Sequence, residues 1–307
     1  MEDSRIAFIV PWFGKLPNYF EVWLKSCGWN KSIDFFLFTD DRSLFNYPPN
    51  VYVKYISFEE MRCKLQSVFP FKICLESPYK LCDYKPAYGE AFQDILSGYD
   101  YWGFCDIDII WGDIRSFLNS SLLNQYSRLY THGHCSIFKN EREINCLYRT
   151  LSTSKYQFWK SVYQTNESRC FDEWGGHCGG GISFIFEENN IPTYNEIDFA
   201  DLNFRKGPFK INFLKEYQDD TNDYFMFSKG TLSLCKDGIE KRRFLYTHFQ
   251  KRKIKICADI ENEFYFIAPG IIVNNYEEAI KNRWCQKRLY ELNYYSKKII
   301  GKLKMTF

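Results

Sequence analysis

Two aspartates one residue apart, Asp106 and Asp108, close the apolar run YWGFCDIDII at 101–110. In a strand, that spacing sets both carboxylates on one face. Ligands of open α/β sheets bind beyond the carboxyl ends of the strands. Two carboxylates there make a hard oxygen site suited to Mn2+ or Mg2+. Such an ion keeps positions open for phosphate oxygens and neutralises the charge on a departing diphosphate. An Asp-x-Asp also occurs as a plain solvated turn, so its context matters. Here the strand is apolar enough to be central. Asp113, after Gly112, is a weaker addition. His248, in YTHFQKRK at 246–253, follows another apolar run, and a neutral imidazole would complete a metal sphere. Lys251 and Arg252 follow it closely and suit diphosphate oxygens. The plainer reading of that segment is a surface histidine beside a solvated basic run.

The elements that must position these residues read as an α/β chain. RIAFIV (5–10), ending at Pro11 and Gly14, and IDFFLFTD (33–40) are continuous apolar runs of the kind that form buried strands. VYVKYIS (51–57) alternates and is a third strand. Helical spacing of Phe20, Trp23 and Leu24 predicts a helix over 19–27. Pro86 starts a second helix that runs to Leu96, with Gly98 as its stop. The run 101–110 is the fourth strand. Strands are also expected over 128–138, 182–187, 242–249 and 264–269. The pattern opens a parallel, doubly wound sheet and fits one α/β domain over 1–275, with a tail over 276–307.

Composition bounds the reading. The chain has 307 residues, 45% of them hydrophobic and 20% aromatic, enough for a sizeable core. A net charge of +2 argues against a general nucleic-acid binder. The 12 cysteines show no repeated spacing and no Cys-x-x-Cys pair, so neither a disulfide framework nor a structural zinc site is expected. His132, His134 and His177 with Cys135 and Cys178 match no standard zinc spacing. The N-terminus starts acidic and its apolar run is short, unlike a secretory signal. No stretch reaches the roughly 18 apolar residues of a spanning helix. A cytoplasmic location with packed thiols is the expectation.

The segment KPAYGEAFQDILSGYDYWGFCDIDIIWGDI (85–114) resembles the core of a bacterial glycosyltransferase-like family of capsule and lipopolysaccharide gene clusters, often described only as a domain of unknown function. PWFGKLPNYFEVWLKSC (11–27) and IDFFLFTD (33–40) are similar to its opening, and FDEWGG (171–176) and LYTHFQKRK (245–253) to its later motifs. The resemblance implies a GT-A-like, Rossmann-like mixed sheet, mainly parallel, with flanking helices. It implies a nucleotide-sugar donor, UDP being the common nucleotide, and a divalent metal, Mn2+ or Mg2+. By the same resemblance Val10, Pro11 and Trp12 hold the nucleobase and Asp40 faces the nucleoside. Asp106 lies near ribose and metal, Asp108 ligates the metal, and His248 completes the site. Lys85 reaches the donor, or is a solvated lysine beside Asp83.

On the acceptor side, Asp172 and Glu173 precede a glycine-rich turn that lets backbone approach a ligand. Either can take the proton of an acceptor hydroxyl in an inverting transfer, or orient the acceptor in a retaining one. The plainer alternative is that the pair caps the next element. Residues 285–307 carry six Lys or Arg against one Glu, with Leu289, Leu292, Tyr295, Ile299 and Leu303 at roughly helical spacing. A basic amphipathic helix of this kind lies on anionic membranes, which suits a glycan or lipid-linked acceptor. Two other classes compete. An aspartyl-phosphate phosphatase expects Asp-x-Asp after the first strand and a hydroxyl residue where Ile110 stands. A non-catalytic glycan-binding or scaffold protein on a transferase fold would have no use for Asp106, Asp108 and His248 together.

Overall fold

The computed structural model describes residues 4–150, 159–176, 179–202, 211–214, 223–250, 254–268 and 270–281. The chain divides into two compact units. The first holds Met1–Leu16, Lys31–Ile107 and Leu118–Glu196, and the second holds Pro17–Asn30, Asp108–Phe117 and Ile197–Phe307. Lys251, Arg252 and the basic tail lie outside the described residues, as do His177 and Cys178.

Among the described residues the strands, in chain order, are β1 (Ile6–Trp12), β2 (Ile33–Thr39), β3 (Val51–Tyr55), β4 (Tyr101–Cys105), β5 (Ile109–Trp111), β6 (Arg128–His132), β7 (Cys135–Lys139), β8 (Thr193–Tyr194), β9 (Ala200–Asp201), β10 (Asp223–Ser228), β11 (Thr231–Lys236), β12 (Ile239–Arg243), β13 (Tyr246–His248), β14 (Lys255–Ile256), β15 (Phe264–Ala268) and β16 (Ile271–Val273). The first unit is built on a seven-stranded sheet of order β3-β2-β1-β4-β7-β6-β8. β3, β2, β1 and β4 run parallel, β7 is antiparallel to both β4 and β6, and β8 is parallel to β6. This is the expected mixed, mainly parallel α/β sheet with flanking helices.

The apolar runs explain the central strands. β1 carries IAFIV with every residue buried, because both of its faces are covered. Pro11 is tolerated in β1 because pairing to β4 stops at Ile9↔Phe104, so Pro11 has no ladder bond to donate on that side. The helix Phe58–Gln66 starts at a reciprocal cap: Glu60 N–H donates to Ser57 Oγ, and Ser57 N–H donates to the Glu60 carboxylate. The core of this unit is unusually aromatic, with Phe69, Tyr84, Tyr148, Trp159 and Tyr163 in mutual ring contact.

Five sequence expectations need correction, among them the run 242–249, which holds two strands, β12 and β13, and not one. The run 101–110 is not one strand: β4 ends at Cys105, and β5 begins at Ile109 in the second unit. The segment 128–138 is a hairpin, β6 and β7, with its turn at Gly133 and His134 and a register shift between Leu129 and His132. The run ISFIFE is a helix, Ile182–Glu188, burying Ile182, Ser183, Ile185 and Phe186 at helical spacing. A short, wholly apolar run fits a buried helix as well as a buried strand. The helix expected over 86–96 is also broken, into Lys85–Ala87, Tyr88–Ala91 and Gln93–Leu96.

The second unit has a six-stranded sheet, β12-β11-β10-β15-β16-β14, and a three-stranded one, β5-β13-β9. Phe225, Phe227, Leu232, Phe244, Tyr265 and Ile267 are central to its core. Asn30, at the end of the helix Phe20–Trp29, is buried and fully used. It donates to Ser26 O and Gly112 O and accepts from Ile114 N–H, fixing the chain on either side of Asp113. The ten described cysteines are free thiols. Among the described residues, no helix is long and apolar enough to cross a membrane.

Candidate active site

Each unit holds one polar cluster, and the chain passes from one to the other between Asp106 and Asp108. In the first unit, Asp106 follows the last residue of β4, and its N–H donates to His134 O at 2.9 Å. Both aspartates lie beyond the strand, so pleat alternation does not aim them. Lys85, in the single turn Lys85–Ala87, is buried, and its Nζ donates to Asp106 Oδ1 at 2.9 Å and to Gly133 O at 2.6 Å. It also lies 3.4 Å from Asp172 Oδ2. Burial opposes the lysine's charge, but Asp106 and Asp172 outweigh it and hold the ammonium protonated well above the ordinary range. Lys85 is therefore not a solvated partner of Asp83.

Asp83 belongs to a different pair. Fully buried, it accepts from Lys80 Nζ at 2.7 Å, from Arg169 N–H at 2.9 Å and from Phe171 N–H at 2.8 Å. That pair fastens the segment leading into Asp172 and Glu173. Asp172 is buried, and its carboxyl is pushed up to about 7, chiefly by burial, with Glu173 raising it further and Lys85 opposing. Glu173 Oε1 accepts from Gly133 N–H at 2.6 Å. Gly133 has to be glycine: a Cβ there would lie 2.5 Å from Glu173 Oε1 and 2.7 Å from Asp172 Oδ2. Behind the acids, the wholly buried Arg128 donates from Nη2 to Asp172 O, with Ser136 and Ser183 hydroxyls on its other nitrogens. Neither acid caps the helix Ile182–Glu188, which has no side-chain cap.

At the carboxyl ends of β1 and β2, Val10 is buried and Pro11 and Trp12 are half-buried. Asp40 Oδ1 accepts from Gly14 N–H at 2.7 Å, and Asp41 Oδ2 from Leu16 N–H at 2.8 Å. The loop after β1 is thereby tied to the loop after β2. Gly14, at φ 91°, takes a conformation other residues resist.

In the second unit, strand pairing brings three groups together. His248 in β13 pairs with Ile109 of β5 on one side and with Asp201 of β9 on the other. Asp108 directly precedes β5, and its carbonyl accepts from Phe249 N–H at 2.9 Å. His248 Nε2 lies 3.4 Å from Asp108 Oδ1, and Nδ1 lies 2.7 Å from Asp201 Oδ1. Asp201 is held in turn by Asn212 Nδ2 at 2.6 Å and by Gln250 Nε2 at 2.7 and 2.8 Å. Burial alone would raise the Asp201 pKa, but His248 first, and then Asn212 and Gln250, outweigh it and lower the pKa. Burial likewise opposes charge on His248, yet the two carboxylates raise its pKa to about 10.

The donor set fits a divalent cation. A divalent cation would bind here by displacing the Nε2 proton, because the Nδ1–H held by the Asp201 carboxylate fixes the ring and leaves Nε2 as the ligand atom. Here that atom faces the Asp108 carboxylate, and both side chains are buried. Asp201, Asn212 and Gln250 were not foreseen from the sequence. The one available signal was an acid inside the apolar run FADL at 199–202.

Residues 8–276 match the model of a family of unknown function, DUF6625. No curated protein matches the sequence. Among solved structures that match is the galactosyltransferase LgtC in complex with donor and acceptor sugar analogues. It is 10% identical, with 80% of this chain and 88% of that chain covered and a TM-score of 0.38.

Proposed function

The chain belongs to DUF6625, a family of unknown function, and we propose that it is a metal-dependent glycosyltransferase. In this reading it moves a sugar from a nucleotide-sugar donor, UDP being the first nucleotide to try, onto a glycan or lipid-linked acceptor of a bacterial surface polysaccharide. The observation that carries the reading is the buried Asp108–His248–Asp201 array beside the chain position of Asp106. Asp108 and His248 would hold a Mn2+ or Mg2+ ion, and the sequence resemblance gives Asp106 a role near the donor ribose. When bound, that ion supplies positive charge for the donor diphosphate as it leaves.

The remaining roles fall to the chain's own groups. Asp201 fixes the His248 ring through Nδ1. Lys85 holds Asp106 in place and adds a buried positive charge beside the donor. Val10, Pro11, Trp12 and Asp40 would line the nucleoside end, where the first two parallel strands terminate. Lys251 and Arg252 would meet diphosphate oxygens. Of the two acids, Asp172 suits the role of proton acceptor for the acceptor hydroxyl better. Its pKa of about 7 matches a base working at neutral pH. Glu173 is committed to Gly133 N–H and would orient the turn.

A panel of UDP-, GDP-, CMP- and dTDP-sugars, scored for slow donor hydrolysis with Mn2+ and with EDTA, tests the reading. One donor should be hydrolysed in Mn2+ and spared in EDTA. Calorimetry should show the same donor binding only with metal. A protein that binds no nucleotide sugar under either condition is not a transferase, and the non-catalytic glycan-binding alternative then stands.

A further inference from the structure

Two aromatic side chains of the first unit are exposed to solvent on segments tied to the one that carries Asp172 and Glu173. Trp174 is 37% exposed and Tyr79 is 65% exposed. Trp174 sits in a tight turn in which Glu173 N–H and Gly175 N–H both donate to Cys170 O, at 3.2 and 3.0 Å. Ser183 N–H donates to Glu173 O at 3.0 Å, docking that turn on the helix Ile182–Glu188. Gly175 has φ 84°, and a Cβ at Gly181 would overlap the Glu173 carbonyl, so the turn depends on both glycines. The indole meets the Phe184 ring edge-on, with centroids 4.9 Å apart. Tyr79 stands in the turn Pro78–Lys80, one residue from buried Lys80. Lys80 binds Asp83, and Asp83 binds the backbone of Arg169 and Phe171. One buried ion pair therefore anchors the elements that carry both aromatic residues.

We infer that Trp174 and Tyr79 form an acceptor-sugar subsite, in which a pyranose ring stacks its C–H face on the indole and turns its hydroxyl edge to Asp172 and Glu173. This rests on the transferase reading for the role of the acids. The pairing of chemistries selects the occupant. A hexopyranose has one apolar face and a rim of hydroxyl donors, which match a rigid aromatic ring beside carboxylates. A lipid chain or an anionic headgroup would be poorly served by two acids at the same place.

The test uses methyl β-D-galactopyranoside, methyl β-D-glucopyranoside and methyl N-acetyl-β-D-glucosaminide, followed by saturation-transfer NMR on the whole protein. At least one should bind wild type, with strongest saturation on the protons of one ring face. Trp174→Ala should weaken that glycoside at least tenfold, Trp174→Phe less, and Tyr79→Ala about threefold to tenfold. Leu44→Ala, at a residue 98% exposed and remote in the chain, should change nothing. Matching thermal melts check that each variant is folded. Wild-type glycoside affinity in folded Trp174→Ala overturns the inference. So does the absence of any glycoside binding in a protein that hydrolyses its donor. Glycoside binding that depends on Trp174 in a protein inert to every nucleotide sugar upholds the subsite and removes the transferase reading instead.

Discussion

At the scale of single residues, the metal proposal separates groups that touch the ion from one that acts through a ligand. Asp108→Asn and His248→Ala each remove a ligand and should abolish measurable Mn2+ binding in calorimetry. Asp201→Asn leaves both ligands but replaces the anion that orients His248 through Nδ1. Loss of such a supporting carboxylate costs about 10–100-fold in metal affinity. If the array is only a buried ion pair, Asp201→Asn lowers stability while Mn2+ binds neither variant nor wild type, which would sink the assignment. Asp106, Asp108 and His248 stood out in the sequence because each is a polar residue that interrupts or follows an apolar run. Asp201 did not, because its partner lies 47 residues away and only the β9–β13 pairing brings them together.

At the scale of elements, the acidic turn is held by the buried Lys80–Asp83 pair and by the hairpin turn at Gly133. Lys80→Met leaves Asp83 buried without its counter-ion, and breaking such a pair costs about 3–5 kcal/mol. The urea midpoint should fall with little change in slope. A loss below about 1 kcal/mol would mean that the backbone donors of Arg169 and Phe171 suffice for Asp83. Gly133→Ala forces a Cβ against both carboxylates, and overpacking of this kind costs about 1–3 kcal/mol. Because it acts directly on Asp172 and Glu173 and not on Asp108 or His248, it should depress sugar transfer more than Mn2+ affinity. Equal losses in both would place the acids outside the transfer step. The parallel strands β1 and β2 were readable because each is an apolar run of strand length bounded by turn residues, and β3 because its residues alternate. The hairpin was read as one strand because Gly133 alone marks its turn. The helix Ile182–Glu188 was read as a strand because the four apolar residues of ISFIFE carry no visible period until packing shows which of them are buried.

At the scale of the whole molecule, Asp172 links global stability to the proposed chemistry through one proton. Burial, the largest influence, pushes its folded pKa up to about 7, whereas an unfolded aspartate titrates near about 3.9. The native state therefore holds the proton more tightly. Its contribution to stability is fully present below about pH 4 and is lost as pH rises through about 7. Each pH unit across that window is worth at most about 1.4 kcal/mol. The same proton acts in the opposite sense on catalysis, because only the carboxylate can accept the acceptor's proton. Hence kcat/KM should climb to a plateau above about pH 7 while this residue's share of stability declines. Asp172→Asn keeps the shape but cannot ionise. It should flatten this part of the stability profile, gain on wild type as pH rises from about 5 to about 8, and lose transfer at every pH. Urea unfolding of both proteins across that range, beside a pH–rate profile of wild type, measures the two slopes. A variant that tracks wild-type stability at each pH would show that Asp172 is already ionised in the folded protein. The rising limb of activity would then have to come from another group.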